Sequence, residues 1–387
     1  MRKNAVNQPF IPLDGGIQAV DGFSCLTAIL PRVQTLFSSP NADSITIISA
    51  EKRSAFACLF PENTVIDEYT IFSKAHAKNG YIKALLLSDC NVVNVQASSQ
   101  ANVKGDFRLL ADKFSCNVKE ICAVNVGKVG SQFFDVSRME TAEFISSKWQ
   151  QFGYAFYLGD VLCRIGAIFI GGDEHSRQMG AQSTVCCITT DVNITPQMLE
   201  KAFVSAAEDT LECLYMAAER SPNDFYGFLS SCQAKNYIIS QTDSEYKKFF
   251  NALKRVLQEI VLRITENNQK KRLFCLVEGA RSKQTAKALA NAVCKSTSLQ
   301  RQAYYGNIKV ESLLCALCGA GERLALERMQ IHLRSAKGEI VLFDYGKQTE
   351  VDASVVAQTA KAKDVYIEVR LHGGYYKANA LAVLGEQ

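Results

Sequence analysis

The sequence predicts a mixed α/β or α+β protein, and three observations carry that expectation. Strand-like and helix-like segments interleave along the 387 residues instead of clustering by type. The cleanest amphipathic stretch, residues 245–265, places Tyr246, Phe249, Leu253, Val256, Leu257, Ile260 and Ile264 on one face, as a helix packed on a sheet requires. No fixed-period repeat or long linker breaks the series, and the 23 glycines and seven prolines are dispersed.

Taken in order, Ile45 to Ser49 and Ala55 to Phe60 read as short strands flanking residues 50–54, and Ile82 to Leu87 as a third, more completely apolar one. Phe107, Leu110, Ala111 and Phe114 keep helical spacing, Glu120 to Val126 returns to strand, and Met139 to Trp149 reads as a further helix. Thr195-Pro196 is a helix start, a capping hydroxyl followed by proline at the first position. Beyond the long helix, Leu273 to Val277 reads as a strand and Ser282 caps a helix through Cys294. Strands follow at Gln330 to Arg334, Ile340 to Phe343 and Val365 to Leu371. The change near Glu278-Gly-Ala280 from a long helix to a shorter helix–strand series sets the expected domains at 1–278 and 279–387.

Composition narrows the function classes. A net charge of +4, with no basic block or stripe, argues against a nucleic-acid partner. No apolar run approaches the about 18 residues of a membrane span, and the polar residues after Met1-Arg2-Lys3 are unlike a secretory signal. The 14 cysteines fall mostly within apolar runs, including Cys58, Cys90, Cys122, Cys186, Cys187, Cys275 and Cys315, the pattern of buried thiols in a reducing compartment. Cys315-Ala-Leu-Cys318 has no second pair and no nearby histidine, so core packing is expected there. His76, His175, His332 and His372 are scattered, and neither a metal nor a cofactor is assigned.

The chemistry-bearing segment is Gly171 to Asp191. A loop of small and polar residues runs into Ser183-Thr184 and then directly into the strand-like Val185 to Thr190, so two hydroxyls stand at a loop-to-strand boundary. Ser183 and Thr184 are the candidate nucleophiles. Within it Asp173-Glu-His175 reads as a solvated loop, and downstream Ser221-Pro-Asn-Asp224 reads as a turn.

These elements, in this order, resemble the ornithine acetyltransferase family, the bifunctional glutamate N-acetyltransferases of arginine biosynthesis. Ser88-Asp-Cys-Asn-Val-Val-Asn94 resembles the family's Asn- and Gly-rich turn and keeps Asn91 and Asn94. Asn125-Val-Gly-Lys-Val-Gly130 resembles its Ser-Thr-Gly loop, keeping both glycines but with Val126 in place of threonine. Thr189-Thr190-Asp191 matches the run that follows the family nucleophile, and an ungapped match puts Ser183 at that nucleophile. Ser221-Pro-Asn-Asp224, Val277-Glu-Gly-Ala280 and the segment Ser298 to Gly306 resemble further motifs in sequence order.

The resemblance implies a four-layer α-β-β-α sandwich with a smaller C-terminal α/β domain, and a precursor that cuts itself before the nucleophile. The freed α-amine, with an ordinary pKa of about 7.7 to 8.0, then serves as that hydroxyl's own base. The hydroxyl takes acetyl from N-acetylornithine and passes it to glutamate, and Gly127 would supply a partial oxyanion N–H. Loss of one such donor costs about a hundred- to thousandfold in rate. Asn91, Asn94, Asn223 and Arg301 are the implied substrate contacts.

The departures fall on the chemistry. Val126 lacks a hydroxyl, Gly172-Asp-Glu-His175 replaces a Lys-Gly-Ser-Gly loop, and Glu266-Asn-Asn-Gln269 replaces Asp-Gly-Glu-Gly. Arg301 replaces a lysine, and Asn307 to Ser312 lacks an Asn-Trp-Gly-Arg motif. The primary expectation is therefore a catalytically degenerate relative acting as a structural or interaction subunit, with protein partners or homo-oligomerisation. The alternative is an active acyltransferase or amidase using Ser183 or Thr184 on a small-molecule substrate. The expected compartment is the cytoplasm, or in the alternative a mitochondrial or other organelle matrix.

Overall fold

The computed structural model describes residues 10–30, 43–60, 68–88, 100–125, 140–142, 149–171, 184–216, 224–266 and 271–385. Along the first part run β1 (Ile11–Leu13), β2 (Phe23–Leu30), β3 (Asp43–Leu59), α1 (Glu68–Ala77), β4 (Tyr81–Ser88), α2 (Gln100–Lys113) and β5 (Ile121–Asn125). Next come β6 (Glu140–Ala142), β7 (Gln150–Leu158), β8 (Val161–Ile170), β9 (Val185–Thr190), α3 (Pro196–Glu208), β10 (Leu214–Met216), β11 (Phe225–Ser230) and α4 (Ser244–Glu266). The remainder is β12 (Arg272–Ala280), α5 (Lys283–Lys295), α6 (Thr297–Tyr305), α7 (Val310–Cys318), β13 (Gln330–Ser335), β14 (Gly338–Asp344), β15 (Lys347–Gln348), α8 (Ala353–Ala360), β16 (Asp364–Arg370) and β17 (Tyr376–Val383).

The chain divides into two compact units, residues 1–205 with 220–256, and residues 206–219 with 257–387. A boundary at 278/279 would cut β12 between Glu278 and Gly279, whereas the observed division falls inside α4.

In the first unit ten described strands form one sheet in the order β1-β7-β8-β9-β11-β3-β2-β6, with β4 beside β3 and β5 beside β4. β3 joins its two arms: residues 43–50 pair with β2, and residues 55–59 pair with β11. The two strands expected within residues 45–60 are thus one, and the irregularity falls in the β3–β4 register between Ser49 and Ser54. The helix expected at Met139 to Trp149 is not formed at Glu140–Ala142, which adds to the edge of β2; residues 143–148 lie outside the described residues. Edge pairing overrides a local helical pattern.

Alternation along the strands divides their side chains between two cores. Ile48, Leu85 and Cys122 on one arm meet Ile168, Cys187 and Leu229 on the other. The opposite face of the first arm, Ile47, Leu86 and Ile121, packs on Phe107 and Leu110 of α2. On the second arm Phe228 packs between Phe203 of α3 and Phe249 of α4, with ring centroids at 5.5 and 6.1 Å. The layer order within this unit is α-β-β-α, as expected. Helix α4 forms as its periodicity requires, with Tyr246, Phe249, Leu253, Val256, Leu257, Ile260 and Ile264 buried. Each such large apolar side chain contributes about 1.5–3 kcal/mol.

The second unit carries a seven-stranded sheet ordered β10-β17-β12-β16-β13-β14-β15. Leu273, Cys275 and Val277 of β12 and Val365, Ile367 and Val369 of β16 share one core with Leu289, Val293 and Leu313 of α5 and α7. Ser282 caps α5, accepting the Thr285 N–H at 3.0 Å. The Glu278-Gly-Ala segment is a bulge in β12: Gly279 has φ +73°, and a Cβ there would lie 2.8 Å from the His372 nitrogen.

Candidate functional site

Strands β9 and β11 run parallel, with Phe225 opposite Val185. That register brings together the residues just before each strand, Thr184 and Asp224, 40 positions apart in sequence. The Thr184 N–H donates to Asp224 Oδ1 at 2.7 Å, and the Phe225 N–H donates to the Thr184 carbonyl at 3.2 Å. Tyr226 donates its hydroxyl to Asp224 Oδ2 at 3.4 Å. Asp224 is 1% exposed and Thr184 8%. A carboxylate so buried requires hydrogen-bond donors, and the amide of residue 184 is one of them.

The cysteines that follow have no nucleophilic part. Burial, and then the Asp224 charge, push the Cys186 thiol up, and burial also raises Cys187 well above its ordinary value. Both remain protonated and inert.

The opposite end of β9, roughly 20 Å away at strand rise, is anchored by the Thr-Thr-Asp run. Thr190 donates its hydroxyl to the Arg164 carbonyl at 2.7 Å, and Asp191 Oδ1 accepts the Arg164 N–H at 2.7 Å. Burial raises the Asp191 carboxyl, while the Arg164 N–H and guanidinium oppose that rise. The run therefore fixes β9 against β8 and its loop, which is a structural reason for its composition.

Of the predicted site residues, Thr184 and Arg301 are described; Ser183, Gly127, Asn91, Asn94 and Asn223 lie outside the described residues, as does Asp173-Glu-His175. Arg301 is exposed on α6 of the second unit, whereas Thr184 belongs to the first. Strands β4 and β5 are parallel neighbours with Ser88 opposite Asn125 at their carboxyl ends. Carboxyl ends of adjacent parallel strands are where such sheets commonly bind ligands. Asp224 was missed as a site residue because its partner is set by β9–β11 register, which local turn chemistry does not encode.

Two cysteine expectations are corrected. Cys315 and Cys318 are exposed, because α7 turns Val310, Leu313 and Leu317 inward and leaves the i, i+3 thiol pair outward. Cys58 is half-buried, Cys122, Cys186, Cys187 and Cys275 are buried as expected, and Cys90 lies outside the described residues. Among the described residues no three His, Cys, Asp or Glu side chains cluster as a metal site. No described helix is long and apolar enough to cross a membrane.

An α-β-β-α sandwich with a hydroxyl-bearing residue, Thr184, just before the inner strand β9 defines the class: a mixed α/β sandwich protein. The chain belongs to the ArgJ family, whose model matches residues 154–383. It is 21% identical over 399 residues to the arginine biosynthesis bifunctional protein ArgJ of Caldanaerobacter subterraneus subsp. tengcongensis, covering 95% of each chain. It is 21% identical over 358 residues to the glutamate N-acetyltransferase of Methanocaldococcus jannaschii, covering 86% of this chain and 85% of that protein. A crystal structure of the ArgJ protein of Bacillus halodurans matches 51% of this chain and 92% of its own at 22% identity, with a TM-score of 0.46.

Proposed function

We propose that this chain is an ArgJ-type acyltransferase that carries an acetyl group on the Ser183 hydroxyl, taking it from N-acetylornithine and passing it to glutamate. The relatives named above as ArgJ and glutamate N-acetyltransferase support the reaction class. The observation that carries the choice of residue is the 2.7 Å bond from the Thr184 N–H to Asp224.

That bond separates the two hydroxyl candidates. Cleavage before Thr184 would turn its amide into an amine beside a buried carboxylate, which favours the ammonium and removes the base the hydroxyl needs. Cleavage between Gln182 and Ser183 leaves the Thr184 amide intact and the Asp224 bond in place. The free amine then belongs to Ser183.

In processing, Ser183 Oγ attacks the Gln182 carbonyl, the Gln182–Ser183 C–N bond breaks, the nitrogen takes the hydroxyl proton, and water hydrolyses the resulting ester. In turnover the Ser183 α-amine accepts the hydroxyl proton as Oγ attacks the acetyl carbonyl. Ornithine leaves with a proton, and the glutamate amine attacks the acyl-enzyme. The Gly127 N–H stabilises the oxyanion, and Asn91, Asn94 and Asn223 contact substrate in this reading.

The test is acetyl transfer from N-acetylornithine to glutamate by purified protein. Ser183→Ala abolishes it and Thr184→Val leaves most of it; loss only with Thr184→Val would reverse the assignment. A second reading, an uncleaved structural subunit or homo-oligomer, draws on Val126 standing where the resemblance places a threonine hydroxyl. It predicts no transfer by the wild-type protein.

A further inference from the structure

Apart from the nucleophile strand, the first unit holds a cleft of about 470 Å3 between the end of α1 and the start of α3. That is within the roughly 300–1,000 Å3 of small-molecule sites. Cys58 and Phe60, at the end of β3, and Pro196 supply apolar lining, while Lys74 and Lys78 stand on one wall and Glu200 on the other. The Lys74 ammonium lies 4.6 Å over the Phe60 ring. Among the described residues, none of Lys74, Lys78 and Glu200 forms an ion pair.

Burial pushes the Cys58 thiol up to about 12, with Glu200 adding to the rise and Lys74 opposing it, so both charges act on the same sulfur. The walls are also pinned together. Gly80, with φ +71°, sits so near α3 that a Cβ would lie 2.7 Å from the Pro196 Cβ, and its N–H donates to the Ala77 carbonyl at 2.9 Å. The cleft is thus formed before any ligand arrives.

We propose that this cleft binds a free α-amino acid with an apolar side chain, its carboxylate at Lys74 and Lys78, its ammonium at Glu200 and its side chain against Phe60. A simple carboxylate would gain the lysines but face Glu200, and a simple amine would gain Glu200 but face both lysines. Only a ligand carrying both charges satisfies both walls, and Cys58, Phe60 and Pro196 favour an apolar remainder. Phe60 packs on Phe225 at the start of β11, ring centroids 5.2 Å apart, and the proposal uses no step at Ser183.

Calorimetric titration of the full chain at pH 7 tests this with L-phenylalanine, L-leucine, 3-phenylpropionate and phenethylamine. At least one of the two amino acids binds one per chain, and the phenylalanine analogues lacking one charge bind weaker than L-phenylalanine, or than L-leucine if only that binds, by about tenfold or more. Lys78→Met weakens the amino acid by about tenfold, whereas Glu200→Gln weakens it and leaves 3-phenylpropionate unchanged or tighter. Both side chains are exposed, so circular dichroism should show intact folds. Ser183→Ala leaves binding unchanged, which separates this site from the acyl-transfer reading. No binding of either amino acid, 3-phenylpropionate binding as tightly, or indifference to Glu200→Gln would overturn the proposal.

Discussion

The Asp224 carboxylate holds the Thr184 amide at 2.7 Å, so the first residue beyond the candidate nucleophile is fixed from a strand 40 residues later. In the proposed mechanism a hydroxyl and its own α-amine work as a pair only if the backbone beside them is held, and that is the role the proposal gives this contact.

Removing the carboxylate should therefore affect both stability and chemistry. Asp224→Ala leaves the Thr184 N–H buried without its acceptor, which costs about 1–3 kcal/mol. Asp224→Asn keeps an acceptor oxygen and retains most of the stability. Thermal unfolding monitored by circular dichroism should rank wild type, Asn and Ala in that order, and transfer activity should follow the same order.

The Glu-Gly-Ala bulge of β12 gives a backbone prediction. Gly279→Ala combines φ +73° with a contact of 2.8 Å to the His372 nitrogen, and the combined strain and displacement should cost at least about 1–3 kcal/mol. Gly105, inside α2, has nothing within 4 Å of an added Cβ, so Gly105→Ala should stabilise by roughly 0.5–1 kcal/mol. Urea denaturation of the two variants should shift in opposite directions.

Asp191 carries a pH prediction. Burial raises its carboxyl above the ordinary 3.8, so between that value and its higher folded pKa the native state holds the proton more tightly than the unfolded chain. The stability from this group is full below 3.8 and falls as pH rises through that window. Asp191→Asn cannot titrate, so the stability of wild type relative to the variant should decline from acid toward neutral pH. Denaturation midpoints measured across that range give the sign.

The exposed pair on α7 predicts thiol reactivity. Under native conditions a disulfide reagent should modify Cys315 and Cys318 rapidly, and the double change to serine should remove two fast-reacting equivalents. Buried Cys186, Cys187 and Cys275 should react only on unfolding.

Much of this fold was legible because local signals and tertiary packing agreed. Pro196 starts α3 and the apolar stripe of residues 245–265 becomes α4 because proline at a first helical position and period need no distant partner. The β7–β8 hairpin was missed although Leu158-Gly-Asp-Val161 encodes it, a two-residue turn with Gly159 at φ +57°. Glu140–Ala142 was misread as helix because its state is decided by the free edge of β2. The candidate site was half legible: the hydroxyls at the start of β9 were visible, but the Asp224 contact depends on non-local parallel pairing. Cys315 and Cys318 sit in an apolar run, and only the rotation of α7 decides that leucines rather than thiols face the core.

The central claim is that Ser183 is a self-processing nucleophile framed by the Asp224–Thr184 bond. Denaturing intact-mass measurement of freshly purified protein tests it most directly. The account predicts two fragments meeting at Gln182/Ser183, lost in Ser183→Ala. A single full-length mass for wild-type protein would contradict it.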